Sequence, residues 1–174
     1  MRIRLFIASF IPSELSLKIS RTAKKFQNEL FRADPAENLH ITYAFLGDRE
    51  EEEIPHIRQH VIALNEQLRD VSFHIAGIQN FEQRGSKSPI VLTLELSREI
   101  STIIRDLKMK LDCDEIKPFV PHITIGKAYK YSAKETILCL AEAFKTFNDR
   151  YAITTAVLAK SIVSPSGSVY SVID

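Results

Sequence analysis

Two short segments of this chain hold the same residue types in the same order. Leu39-His40-Ile41-Thr42 and Pro121-His122-Ile123-Thr124 each set a histidine two residues before a threonine, with an isoleucine between them. Both runs are apolar enough to be strands. Alternate residues of a strand point to one side, so each segment offers an imidazole and a hydroxyl together and turns its isoleucine the other way. Two imidazoles near neutral pKa can divide the work of general base and general acid. In-line displacement at phosphorus needs that pair, one at the entering oxygen and one at the leaving oxygen. Two threonine hydroxyls can bond the non-bridging phosphate oxygens between them. One H-x-T alone carries almost no information; two in matched surroundings carry far more.

The surroundings match because the elements repeat. Ile3 to Phe10 reads as a strand, and Ser13 caps a helix over about 14–31 with the stripe Leu15, Ile19, Ala23, Phe26 and Leu30. Asn38 to Leu46 is a second strand, closed by Gly47. Asp48 and Glu51 form a capping box for a helix over about 50–69, and a third strand spans about 71–79. After a polar loop the pattern restarts. It gives a strand over 90–96, a helix over 98–112 capped by Ser97, and a strand over 119–127. Ser132 and Glu135 cap a helix over 133–147, and strands follow over 151–162 and 169–173, parted by Pro165-Ser166-Gly167. His40 and His122 lie 82 residues apart, and each sits in the second strand of its half. If a pseudo-twofold relates two such lobes, the two pairs face each other across a cleft.

Composition bounds the rest. Lysine plus arginine number 23 and aspartate plus glutamate 22, with 45% apolar and 26% charged residues, which excludes collagen-like, low-complexity and disordered chains. A net charge of +1 argues against a long electrostatic track on nucleic acid. It is compatible with a grip on one terminal phosphate and a shallow salt dependence. Cys113 and Cys139 have no metal-type spacing and suggest a reducing compartment. The run Leu5 to Ile11 is too short for a membrane span and reads as a strand rather than a secretory signal, so the expectation is a soluble, cytoplasmic protein. No carboxylate cluster for a metal is evident. His56 and His60 share a helix face without a third ligand, and His74 alternates with apolar strand residues. Phe10 and Tyr43 are candidate platforms for a nucleobase.

The segments ENLHITYAFLGD and FVPHITIGKA resemble the paired motifs of the two-histidine phosphoesterases, and among them the RNA 2′,3′-cyclic phosphodiesterases, also called 2′-5′ RNA ligases. The opening RIRLFIASFIP, the middle GIQNFEQRGSKSPIVLTLELS and the tail VLAKSIVSPSGSVYSVID extend the likeness over nearly the whole chain. The resemblance implies a bilobal α+β fold of mostly antiparallel sheets with outer helices around a central groove, one domain over 1–174 with halves 1–84 and 85–174. It implies opening of a 2′,3′-cyclic phosphate at an RNA end, tRNA fragments included, to a 2′-phosphate. The reaction would need neither metal nor other cofactor, would run weakly in reverse as a ligation, and would be carried out by a monomer. By position His40, Thr42, His122 and Thr124 carry over as the catalytic set. His122 is assigned to activate water and His40 to protonate the departing 3′ oxygen, though pseudo-symmetry allows the reverse. Two departures stand out. Relatives commonly have arginine five residues after the second histidine, where this chain has Lys127, a point charge in place of a bidentate fork. Simple alternation also gives Lys127 the parity opposite to His122, so it would reach the groove only from a fraying strand end. A tryptophan common before the first motif is missing, and Phe31 is expected to fill its packing role. The same site would also suit a cyclic nucleotide, an ADP-ribose cyclic phosphate or a 2′-5′ oligoadenylate. A noncatalytic RNA-end module is the reading from another class.

Overall fold

The structure is a computed structural model and describes residues 2–114, 117–164 and 167–173. Among these residues nine strands and four α-helices follow in the order β1 (Arg2–Phe10), α1 (Ser13–Lys24), β2 (Phe31–Ala33), β3 (His40–Glu50), α2 (Ile54–Leu68), β4 (Ser72–Asn80), β5 (Lys87–Leu96), α3 (Ser101–Lys110), β6 (His122–Tyr129), α4 (Ala133–Phe144), β7 (Tyr151–Ala152), β8 (Val157–Ser164) and β9 (Gly167–Val172). They form two sheets, ordered β3-β1-β8-β9 and β2-β6-β5-β4-β7, with antiparallel pairing throughout. The expected α+β architecture of two antiparallel sheets with helices outside them is present. The buried stripes of the helices, such as Leu15, Ile19 and Ala23 of α1 and Ile57, Val61, Leu64 and Leu68 of α2, join strand residues in one core.

The halves 1–84 and 85–174 are not the two lobes. Within each half the first two major strands stay together, β1 with β3 and β5 with β6. The third crosses over: β4 pairs with β5 of the second half, and β8 pairs with β1 of the first. The sequence repeat is real, but its units are intertwined by strand exchange.

Several boundaries differ from the sequence reading, each for a local reason. Helix α1 stops at Lys24 rather than near residue 31. The side chain of Asn28 accepts hydrogen bonds from the backbone N–H groups of Leu30 (2.8 Å) and Phe31 (2.9 Å), turning the chain into the short strand β2. The box that starts the second helical segment uses Glu50 and Glu53, with the Glu50 N–H donating to Glu53 Oε2 at 2.8 Å, rather than Asp48 and Glu51. Ser97 does not cap α3; its Oγ accepts the N–H of Ser72 at 2.9 Å and ties β4 to the end of β5. The long strand over 151–162 is broken into β7 and β8. The turn residues Pro165 and Ser166 lie outside the described residues.

Candidate active-site groove

His40 and His122 are the first residues of β3 and β6, and both are half-buried. Register places Thr42 beside His40, opposite Ala8 and Phe10 of β1, and Thr124 beside His122, opposite Val91 and Thr93 of β5. Ile41 and Ile123 point into the core at 1% and 0% exposure. Each histidine is fixed in the same way. His40 Nδ1 lies 2.6 Å from the carbonyl of Asn38, and His122 Nδ1 lies 2.7 Å from the carbonyl of Val120. A carbonyl only accepts, so Nδ1 carries hydrogen in both rings and Nε2 is left to exchange protons.

Aromatic rings hold the imidazoles in place. Phe6, Phe10 and Tyr170 surround His40 at centroid distances of 5.2, 5.6 and 5.1 Å, and the Tyr170 contact is edge-on. Phe81 packs edge-to-face on His122 at 4.6 Å. Tyr170 can reach His40 because the first sheet curls until β9 meets the segment before β3. The side-chain amide of Asn38 donates to the Ser168 carbonyl at 2.9 Å and fastens that closure. Burial lowers the pKa of both histidines from the ordinary value of 6.5, partly offset by the carbonyl bonds. His40 is lowered further by the charge of His122, which puts the two rings within electrostatic reach across the groove.

Lys127 is not of the wrong parity. Between Ile90↔Gly126 and Val91↔Thr124 the β5–β6 register shifts, so Ile125 is an extra residue in β6. That bulge inverts the alternation beyond it. Ile125 and Gly126 are both buried, and Lys127 emerges exposed on the face that carries His122 and Thr124. It pairs across the ladder with Arg32 of β2, and Asp34 follows at the strand end with its N–H bonded to the Ile125 carbonyl at 2.9 Å. Burial raises the Asp34 pKa, and the charges of Lys127 and Arg32 oppose that rise. The Asp34 charge in turn contributes, behind burial, to raising the Tyr170 pKa. Asp34 is thus a groove carboxyl that sequence reading overlooked. Nothing local marks it; only the β2–β6 pairing brings it there.

Tyr43 must be withdrawn as a base platform. It is 1% exposed, its hydroxyl donates to Ser9 Oγ at 3.0 Å, and its ring packs 6.1 Å from Phe119. Phe10 does lie at the groove, against His40. Phe31 is buried as expected of a packing residue. Phe6, Phe81 and Tyr170 were not anticipated around the histidines; Phe6 and Phe10, four residues apart on β1, were the one legible hint of an aromatic face. His74 Nε2 lies 3.2 Å from the Glu95 carboxylate, while His56 and His60 pack edge-on against each other on α2.

Residues 10–91 match the model of the LigT-like phosphoesterase family, a span that includes the first H-x-T and ends before the second. Over the full length the chain is 28% identical to the RNA 2′,3′-cyclic phosphodiesterase of Thermotoga maritima, covering 98% of this chain and 92% of that one. It is 25% identical to the protein of that name from Methanocaldococcus jannaschii, covering 98% of both. The chain is similar to the LigT-like phosphoesterases. Solved structures share the fold of this chain. Escherichia coli LigT complexed with 3′-AMP superposes with a TM-score of 0.69 at 20% identity, covering 100% of this chain and 97% of that one. TT0787 of Thermus thermophilus does so at 0.68 and 23%, covering 100% and 96%. No described helix is long and apolar enough to cross a membrane.

Proposed function

We propose that this protein is a LigT-like phosphoesterase that hydrolyses 2′,3′-cyclic phosphate ends of RNA to 2′-phosphate ends, with His40, Thr42, His122 and Thr124 as its catalytic residues. The observation that carries this reading is the matched pair of imidazoles, each with Nδ1–H held by the carbonyl two residues upstream and Nε2 available in one groove. One Nε2 accepts the proton of a water as its oxygen attacks phosphorus; the P–O3′ bond breaks in line, and the other Nε2–H delivers its proton to O3′. His122 as base and His40 as acid is the assignment we adopt. The threonine hydroxyls donate to the non-bridging oxygens, where charge builds in the transition state. Lys127, on the same face by virtue of its bulge, adds a positive charge. The names of the full-length relatives support the choice of an RNA-end cyclic phosphate. The same steps with an RNA 5′-hydroxyl in the place of water join two ends through a 2′-5′ linkage, a weak ligation. Both histidines belong to one chain, which supports action as a monomer on short RNA fragments, tRNA fragments among them.

The test is incubation with an oligoribonucleotide ending in a 2′,3′-cyclic phosphate, with a chelator present. A 2′-phosphate product is expected, lost by about 10²-fold or more in His40→Ala and in His122→Ala. Wild-type rates in either variant, or turnover abolished by the chelator, would refute the mechanism.

A further inference from the structure

Asp34 is a groove carboxyl that the chemistry above does not use. Backbone bonds that owe nothing to its side chain fix its place. Its N–H donates to the carbonyl of Ile125, the residue after Thr124, at 2.9 Å, and its own carbonyl accepts the Ser20 hydroxyl at 3.1 Å. In β2 Phe31 and Ala33 are buried and Arg32 is exposed, so Asp34 continues on the side of Arg32. Arg32 is the ladder partner of Lys127, which stands on the face of His122 and Thr124. The half-buried Asp34 is thereby set beside the second H-x-T, one strand spacing away. Its electrostatic partners agree. The charges of Lys127 and Arg32 act on it from one side, and on the other it acts on Tyr170, whose ring packs 5.1 Å from that of His40. The carboxyl lies between the two sheets, where the two H-x-T pairs converge.

A site that only gathers phosphate gains nothing from a carboxylate in its midst. What a carboxylate does there depends on the charge it faces. A 2′,3′-cyclic phosphate is a diester with one negative charge. Hydrolysis adds water across the P–O3′ bond: hydroxide goes to phosphorus and a proton to O3′. The new P–OH then ionises near neutral pH, leaving a monoester of about −1.5 to −2. Attraction by Lys127 grows with that charge, and alone it would hold the product more tightly than the substrate. Repulsion by a fixed carboxylate grows in the same proportion and opposes it. We propose that Asp34 is a charge filter in the groove, a carboxylate that disfavours the dianionic 2′-phosphate product against the monoanionic cyclic phosphate and so speeds product release. This deepens the cyclic-phosphodiesterase reading and rests on it. The same filter turns away RNA ends that already carry a linear phosphate.

The experiment measures calorimetric binding of adenosine 2′-phosphate and of its phosphate monomethyl ester, which keeps base, ribose and phosphorus but loses one charge. It is run on wild type, Asp34→Asn and Asp34→Glu at about pH 8 and low ionic strength. For charges about 6–7 Å apart, even the dielectric of water gives about 3-fold per unit of ligand charge. Asp34→Asn is therefore expected to tighten the methyl ester by about 3-fold or more and the monoester by about the square of that factor, 9-fold or more. Asp34→Glu keeps the charge and should stay within about 2-fold of wild type on both. In turnover of adenosine 2′,3′-cyclic phosphate, Asp34→Asn should lower the product's Ki more than it lowers KM. A carboxylate that merely buttresses Lys127 predicts the opposite sign, weaker binding of both ligands in Asp34→Asn. That result, equal tightening of both, no change in either, or an Asp34→Glu protein that behaves like Asp34→Asn would overturn the filter. Urea unfolding checks that the variants are folded, and Asp34→Ser carries the same test should the amide disturb the fold. Charge-selective binding lost in Asp34→Asn, in a wild type that hydrolyses no cyclic phosphate, would sink the phosphodiesterase reading and sustain the filter. Hydrolysis by wild type without that selectivity would sink the filter alone.

Discussion

Gly126→Ala isolates the link between the β6 bulge and the groove. A Cβ on Gly126 would stand 2.4 Å from the carbonyl oxygen of Arg32 and 2.6 and 2.9 Å from Cε2 and Cζ of Phe31. Carbon comes no nearer than 3.0 Å to such atoms in practice, so the oxygen must withdraw from 2.4 to at least 3.0 Å. It is a backbone atom and cannot rotate aside, and the Phe31 ring, 1% exposed, has nowhere to go. The relief available is displacement of β2, an edge strand whose only ladder among the described residues is to β6, through Phe31↔Ala128, Arg32↔Lys127 and Ala33↔Gly126. Overpacking of this kind costs about 1–3 kcal/mol. At about 2 kcal/mol, a domain of this length loses roughly 4–8 °C in Tm. Urea unfolding should show a lower midpoint with an unchanged slope. Because β2 carries Arg32 and is followed by Asp34, both beside Lys127, KM for an RNA cyclic phosphate should rise more than kcat falls. Gly77→Ala is the control. Its new Cβ meets only the Thr93 hydroxyl, at 3.2 Å, and a side-chain rotation absorbs that. A Gly126→Ala protein within about 0.5 kcal/mol of wild type, or no less stable than Gly77→Ala, would refute this account of the bulge.

Four further outcomes follow from the same geometry. Both histidines titrate below 6.5, and catalysis needs one neutral and one protonated, so kcat/KM should peak on the acid side of pH 6.5 and fall about tenfold per pH unit well above it. The same depressed values mean that the unfolded chain binds protons first, so stability present above pH 6.5 should decline as pH falls from 6.5 through the folded-state values. A pH–rate profile that is flat or rising from about 6.5 to 8 contradicts the first, and urea midpoints independent of pH contradict the second. Lys127→Ala should raise KM about 10-fold, and Lys127→Arg should hold or lower it, since a guanidinium can bind phosphate through two parallel bonds; steady-state kinetics on one RNA end decide it. Tyr43→Phe should cost about 1 kcal/mol of stability through the lost bond to Ser9 and leave KM for RNA ends unchanged, as measured by urea unfolding and kinetics, because the ring sits in the core.

Much of the site was legible before any tertiary contact was known. Period-two alternation put His40 with Thr42 and His122 with Thr124, and sent Ile41 and Ile123 to the core, because a strand's side chains alternate wherever it is regular. The repeat of elements marked the two motifs as equivalent. Apolar spacing found the four helices, with errors at their ends where side chains such as Asn28 and Ser97 took other partners. Alternation failed at Lys127, because a bulge inserts one residue without any local mark in the sequence; only the pairing with β5 reveals it. Asp34 and the Tyr170 contact with His40 depend on the β2–β6 ladder and on the curl of the first sheet, pairings between residues far apart in the chain. The exchange of β4 and β8 between halves is of the same kind. Local sequence determined which side chains share a face. Which strands lie side by side, and where a ladder slips by one residue, was decided by non-local packing, and that decided which side chains meet in the groove.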